Sequence, residues 1–233
     1  MAGTAILAGV GPGFCESFAR KLGREGHPVA LFGRSVDYLE DLAAELREDG
    51  HEALAVPTDV TDPDSVRESV GDARDELGAV EVLAHTASTT TGSSGELEPA
   101  RLEEMWRLYA YGGLLCVRAV LDDLRAQEGT VLFFGAHPDS GDYAFKSAKD
   151  ATRGLARSLA ERHADEFQVS HVVVAGGLLN PDVYDGEEDV DEREFIDIEG
   201  AAATCYHLVE QEPRARTFEL DLHTYGRPDL QAL

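Results

Sequence analysis

Lysine is nearly missing from this chain: Lys21, Lys146 and Lys149 are the only three in 233 residues, against seventeen arginines. Cysteine is scarce as well. Cys15, Cys116 and Cys205 are odd in number and far apart, which argues against a disulfide framework or a cysteine-based metal centre and leaves them as small reduced core residues. No run of about 18 apolar residues occurs, so no membrane-spanning helix is expected. Proline-rich and Gly/Ser-rich linkers and internal repeats are also missing, so residues 1–233 are expected to form a single domain. The first residues enter the apolar run Thr4-Ala5-Ile6-Leu7-Ala8 without a basic region or a cleavage site. No export signal is therefore expected, and a cytoplasmic location fits the reduced cysteines.

Positive charge is in short supply overall. Forty-five acids face twenty bases, for a formal net charge of -25. A field of that sign repels phosphate backbones and anionic headgroups, so neither nucleic acid nor a membrane surface is an expected partner. The profile is similar to that of halophilic, haloarchaeal proteins, whose self-repulsion is screened by a high-salt cytoplasm. It speaks to where the protein works, not to its chemistry.

What the chain does contain is alternation. Apolar strands are expected over 5–8, 28–32, 52–57, 80–85, 129–134, 168–174 and 217–222. Between the first two, Glu16, Phe18, Ala19 and Leu22 describe a helix with one apolar face. Further helices are expected over 37–49, 64–77, 99–127, 145–166 and 197–211. Strands alternating with amphipathic helices define an α/β class with a doubly wound parallel sheet of Rossmann type. Two segments read as irregular: the polar stretch 89–95 and the acidic stretch 182–194. The latter is either a solvated loop or a lid, since it follows the sixth strand, where ligands of open α/β sheets bind.

The first strand leads into Gly9-Val10-Gly11-Pro12-Gly13-Phe14-Cys15 at the start of a helix. Glycines let the backbone turn sharply and approach an anion, and a helix N-terminus offers unpaired N–H groups. A purely structural turn is the alternative. Much further on, Phe145-Lys146-Ser147-Ala148-Lys149 opens the run Asp150-Ala151-Thr152-Arg153-Gly154-Leu155-Ala156. Together these segments resemble the short-chain dehydrogenase/reductase (SDR) family, specifically in the first 60 residues and around 145–160, and more loosely between.

The resemblance implies a nicotinamide dinucleotide. Gly9 and Gly13 fall at the family's first two glycine positions and Cys15 at the third, with Gly11 and Phe14 in the same turn. After the second strand stand Arg34 and Ser35 rather than the acid that receives ribose hydroxyls. That pair suits a 2′-phosphate and favours NADP(H) over NAD(H), with a plain surface arginine as the alternative. Asp59-Val60 resembles the family's adenine-contacting pair, although Asp59 could equally cap its loop. His85-Thr86-Ala87-Ser88 aligns with the family's Asn-Asn-Ala-Gly, so Thr86 and Ala87 are expected beside the ribose. His85 reads as a satisfied buried histidine rather than a catalytic one. Gly177 is expected at the nicotinamide end, and Phe133, Phe145 and Leu178 in an apolar pocket.

The chemical positions depart from the pattern. The resemblance places Tyr109 at the helix asparagine, Ala136 at the substrate-orienting serine and Phe145 at the proton-donating tyrosine; only Lys149 matches. Residues four apart on a helix lie about 40° apart, so Phe145 and Lys149 share a face. Tyr143 could serve only if the chain before Phe145 is not helical and bends back. Tyr109 and Tyr111 are further candidates. Losing a general acid typically costs about 10²–10⁴ in rate, and losing a donor to the developing oxyanion about 10²–10³.

The expectation is an NADP(H)-dependent oxidoreductase with atypical, weak catalysis on a carbonyl-type small molecule, with Lys149 and Tyr143 as the catalytic candidates. The alternative is a non-catalytic NADP(H)-binding sensor or subunit. No metal is expected. A homo-oligomer, dimer or tetramer, is expected through 99–127 and 145–166, where Leu114, Val117, Leu155 and Leu159 face either a partner or the sheet.

Overall fold

A strand's successive side chains point to opposite faces, and in β1 (Thr4–Ala8) both faces are buried. Ala5 and Leu7 enter one core while Ile6 and Ala8 enter another. Double burial explains why this strand reads as a continuous apolar run rather than an alternating one. The computed structural model describes residues 2–89, 97–136, 141–178 and 191–224. Five further strands come next along the chain, namely β2 (Val29–Gly33), β3 (Ala53–Pro57), β4 (Val80–His85), β5 (Thr130–Ala136) and β6 (Gln168–Ala175). The short β7 (Gly177–Leu178) and β8 (Phe195–Ile196) pair with each other, and β9 (Glu219–His223) completes the main sheet. Its order is β3-β2-β1-β4-β5-β6-β9, with every neighbouring pair parallel.

Helices cover both faces. On one side, α1 (Phe14–Arg24), α2 (Val36–Glu48) and α7 (Ile198–Val209) bury Phe18, Leu22, Leu39, Leu46, Cys205 and Leu208. On the other, α3 (Pro63–Leu77), α5 (Gly112–Gln127) and α6 (Tyr143–Arg162) bury Val66, Val70, Val117, Val120, Ala156 and Leu159. Val117 and Leu159 thus face the sheet, whereas Leu114 is 41% exposed. α4 (Pro99–Trp106) precedes α5 and lies against α6. The expected helix over 99–127 is interrupted: a π-helical turn, Arg107–Tyr111, separates α4 from α5. Gly112 and Gly113 then let α5 pass close beneath its neighbours. A Cβ at Gly112 would stand 2.9 Å from the Val60 carbonyl oxygen, and one at Gly113 2.7 Å from the Phe133 ring.

The start of α6 differs from the expected residue 145. Asp142 caps it by accepting from Ala144 N (3.1 Å) and Phe145 N (3.0 Å), so the helix begins at Tyr143. Arg101 Nε donates to the other Asp142 oxygen at 2.7 Å and fastens α4 to this cap. The amide of Phe145 leads the contacts that hold the Asp142 carboxyl below its usual range. The helix ends at Arg162, short of the expected 166. Residues 90–95 of the polar stretch and 182–190 of the acidic stretch lie outside the described residues. The end of the latter is a 3-10 turn, Glu192–Glu194, leading into β8. Among the described residues no helix is long and apolar enough to cross a membrane, and no cluster of potential metal ligands occurs.

Candidate active site

The carboxyl ends of β1, β2, β4, β5 and β6 open into one cleft of about 840 Å³. This is the crevice where the strand order reverses, between β1 and β4. Its phosphate end is built from the glycine turn. Gly9 has φ 106°, and a Cβ there would lie 2.1 Å from Ala87 Cα, so only glycine lets the turn approach the end of β4. The Gly9 and Val10 amides both donate to the Phe32 carbonyl (2.8 Å each), and Thr86 Oγ1 donates to the Gly9 carbonyl at 3.1 Å. Gly13, at φ 93°, sits at the N-cap of α1, where no side chain caps the first-turn amides. Gly11 faces open space. A cradle of unspent N–H groups beside a glycine with room above it fits a pyrophosphate. Cys15 packs its sulfur 3.8 Å from the Gly9 carbonyl, and burial pushes its thiol up, so it is a neutral small residue there. Phe14 stacks on Phe18 and tilts against Phe134, closing the wall.

At the far end Arg34 and Ser35 extend beyond β2, both exposed, beside Asp59 and Val60. Asp59 does cap its loop. Its Oδ1 accepts from Thr61 N (2.9 Å) and Thr61 Oγ1 (2.8 Å), and these bonds, with a smaller contribution from Arg34, hold its carboxyl below the usual range. Capping and lining the cleft are therefore one role. Glu104, Arg107 and Leu108 also line the cleft and were not singled out from sequence. Their spacing of three and four is the signal that could have found them.

At the opposite end Phe134, Ala136, Phe145 and Leu178, with the polar Ser88 and Thr89, line the cleft together with Lys149. Its Nζ donates to the Phe134 carbonyl at 2.8 Å and lies 4.1 Å from the centre of the Tyr109 ring and 5.5 Å from that of Phe145. Burial brings its pKa down to about 7. Ala136 and Phe145 line the same wall and supply no hydroxyl. Tyr109 meets Phe145 edge-on, with ring centres 5.6 Å apart. Its hydroxyl lies 3.3 Å from Ser88 Oγ and accepts from Thr89 N at 3.3 Å.

Several sequence expectations are corrected here. Tyr143 does not reach the cleft. As the first residue of α6 it turns to Glu98, accepting from its amide at 2.5 Å and donating to its carbonyl at 3.0 Å. Gly177 pairs with Phe195 in β7, so Gly176 and Leu178 line the cleft in its place. Phe133 is fully buried against α5, and it is Phe134 that faces the cleft. Tyr111 is 43% exposed and is not part of the cleft wall. His85 is buried, but not satisfied: its Nε2 has no partner among the described residues. Burial, reinforced by the nearby Lys149 charge, lowers its pKa to about 3. By contrast Gly9, Gly11, Gly13, Phe14, Arg34, Ser35, Asp59, Val60, Thr86, Ala87 and Lys149 all converge on the one cleft.

The sheet order and the glycine-lined crevice at its switch point define a Rossmann-type α/β protein. The family follows from comparison. Residues 3–190 match the model of the short chain dehydrogenase family, and the chain belongs to that family. It is 30% identical over 167 residues to the cis-4-hydroxycyclohexanecarboxylate dehydrogenase of Sinomonas cyclohexanicum, covering 69% of this chain and 67% of that protein. It is 31% identical over 190 residues to the cis-2,3-dihydrobiphenyl-2,3-diol dehydrogenase of Rhodococcus globerulus, covering 77% of this chain and 65% of that one. Among solved structures, an alcohol dehydrogenase of the archaeon Thermococcus sibiricus complexed with 5-hydroxy-NADP superposes with a TM-score of 0.83 at 25% identity, covering 96% of this chain and 97% of that one.

Proposed function

We propose that this protein is an NADP(H)-dependent oxidoreductase acting on a small, uncharged carbonyl compound or the matching alcohol, without a Ser-Tyr pair. The observation that carries this reading is the convergence on one cleft of the glycine cradle, Arg34 with Ser35, and Lys149. The first-turn amides of α1 would hold the pyrophosphate. Arg34 offers a guanidinium fork to a 2′-phosphate, and at the end of β2 Arg34 and Ser35 occupy the place where an acid would receive ribose hydroxyls. Thr86, Ala87 and Lys149 would position the nicotinamide ribose. Bound NADP(H) would supply the hydride chemistry. The wall made by Phe134, Ala136, Phe145 and Leu178 excludes water and favours an apolar substrate. Two dehydrogenases to which the chain is similar carry cyclic alcohols in their names, which supports a cyclic alcohol or ketone; one of those names is a carboxylate, so the preference for an uncharged substrate rests on the apolar wall alone.

The second reading is a non-catalytic NADP(H)-binding sensor or subunit, favoured by the commitment of the Tyr143 hydroxyl to Glu98 and by the methyl and phenyl groups at 136 and 145. Activity separates the two. With NADPH and a panel of cyclic ketones, slow oxidation of NADPH is expected. Phe145→Tyr, which places a phenol one turn from Lys149, is expected to raise the rate by about tenfold or more. No turnover by either form, with NADPH bound, would establish the sensor. A cytoplasmic, salt-adapted homo-oligomer is part of the proposal. Trp106, Tyr111 and Leu114 leave 48%, 43% and 41% of their surfaces exposed along the α4–α5 segment, an apolar stretch for a second copy to cover.

A further inference from the structure

We propose that Lys149 is a covalent capture site for small uncharged aldehydes, its ε-amine condensing with the carbonyl to form an imine at the cleft wall. This does not rest on the oxidoreductase reading. Of the three lysines, only Lys149 lines the cleft. Lysines become nucleophilic when an apolar pocket desolvates them and no anion stabilises the ammonium. Both conditions hold. The amine lies over the Tyr109 and Phe145 rings, which meet edge-on beside it, and its hydrogen bond goes to a neutral acceptor, the Phe134 carbonyl. No carboxylate of the described residues bonds to it.

The titratable groups around Lys149 do not restore its charge. His85 on β4 and His171 on β6 are both buried, with their pKa values lowered. Arg153, one turn further along α6, is taken by Glu219 on β9 through both guanidinium branches. The tyrosine packed against it, Tyr109, turns its hydroxyl away to Ser88 and Thr89. The pKa of the amine, brought down by burial to about 7, agrees with this geometry.

The condensation balances without a co-reactant. The nitrogen lone pair forms the N–C bond, both amine protons pass to the carbonyl oxygen, and that oxygen leaves as water while the C=N bond forms. No electrons are gained or lost. The partner is an uncharged aldehyde because the surrounding wall, Phe134, Ala136, Phe145 and Leu178, is apolar.

The scarcity of lysine makes the test clean. The folded protein is treated at pH 7 with benzaldehyde and sodium cyanoborohydride, which reduces imines to stable amines, and is then mapped by peptide mass spectrometry. Lys149 is expected to be benzylated roughly tenfold or more faster than Lys21 and Lys146, and this preference is expected to vanish in urea. Lys21, held by Glu25 at 2.5 Å, and the partly exposed Lys146 are internal controls in the same molecule. Labelling of Lys149 no faster than these two in the folded protein would overturn the proposal.

Discussion

A buried imidazole with an unpaired nitrogen is a stability statement as well as a structural one. His85 Nε2 has no partner among the described residues, and the ring stays neutral in the fold down to a pKa of about 3, against an ordinary value of 6.5. Between those limits the unfolded chain binds a proton that the native chain refuses, so this group lowers stability as pH falls through 6.5. Each unit of that window corresponds to about 1.4 kcal/mol. His85→Phe, a ring of similar size without the ionisable nitrogen, is expected to lose this part of the acid sensitivity. Urea midpoints at pH 7, 5 and 4 check it: the wild type should fall further than the variant, and parallel curves would contradict the account. At the same scale, the neighbours of Lys149 on the cleft wall are a methyl at Ala136, a phenyl at Phe145 and Tyr109, whose hydroxyl turns to Ser88 and Thr89.

At the scale of elements, the glycine turn and the end of β4 are built as a unit. Gly9→Ala would force a Cβ onto the Ala87 backbone and hold alanine at φ 106°, so a loss of at least about 2–3 kcal/mol is expected. Gly11→Ala meets nothing within 4 Å and is expected to unfold within about 0.5 kcal/mol of wild type. Thermal or urea unfolding of the two variants separates a glycine that the packing requires from one that faces open space; equal losses would contradict the account. All seven strands of the main sheet were legible in the sequence to within two residues: inner strands such as β1 and β2 because burial on both faces leaves continuous apolar runs, the edge strand β9 because Leu220 and Leu222 alternate with polar residues. The π-helical turn at Arg107–Tyr111 was not, since one extra residue in a turn only rotates an apolar stripe. The β7–β8 pair, two residues each, was too short to carry a pattern. The glycines, Arg34 and Lys149 could be expected on the cleft wall from the sequence because special backbone or charge marks them. The loss of Tyr143 could not, because it depends on an Asp142 cap and a contact with Glu98 forty-five residues away. Choosing between Gly176 and Gly177, or Phe133 and Phe134, likewise needed the strand register.

For the molecule as a whole, a net charge of -25 sets the conditions of every experiment. Self-repulsion opposes the compact state, and salt screens it, so stability should rise with KCl. The central claim, that the cleft at the β1–β4 switch point holds NADP(H) with Arg34 on its 2′-phosphate, is tested most directly by titrating the folded protein with NADPH and NADH in about 2–3 M KCl. Nucleotide fluorescence reports binding, with Arg34→Ala alongside. The account predicts saturable binding with NADPH tighter than NADH, and about a tenfold or greater loss of NADPH affinity in the variant, with NADH little changed. No binding of either nucleotide to the folded protein would contradict it.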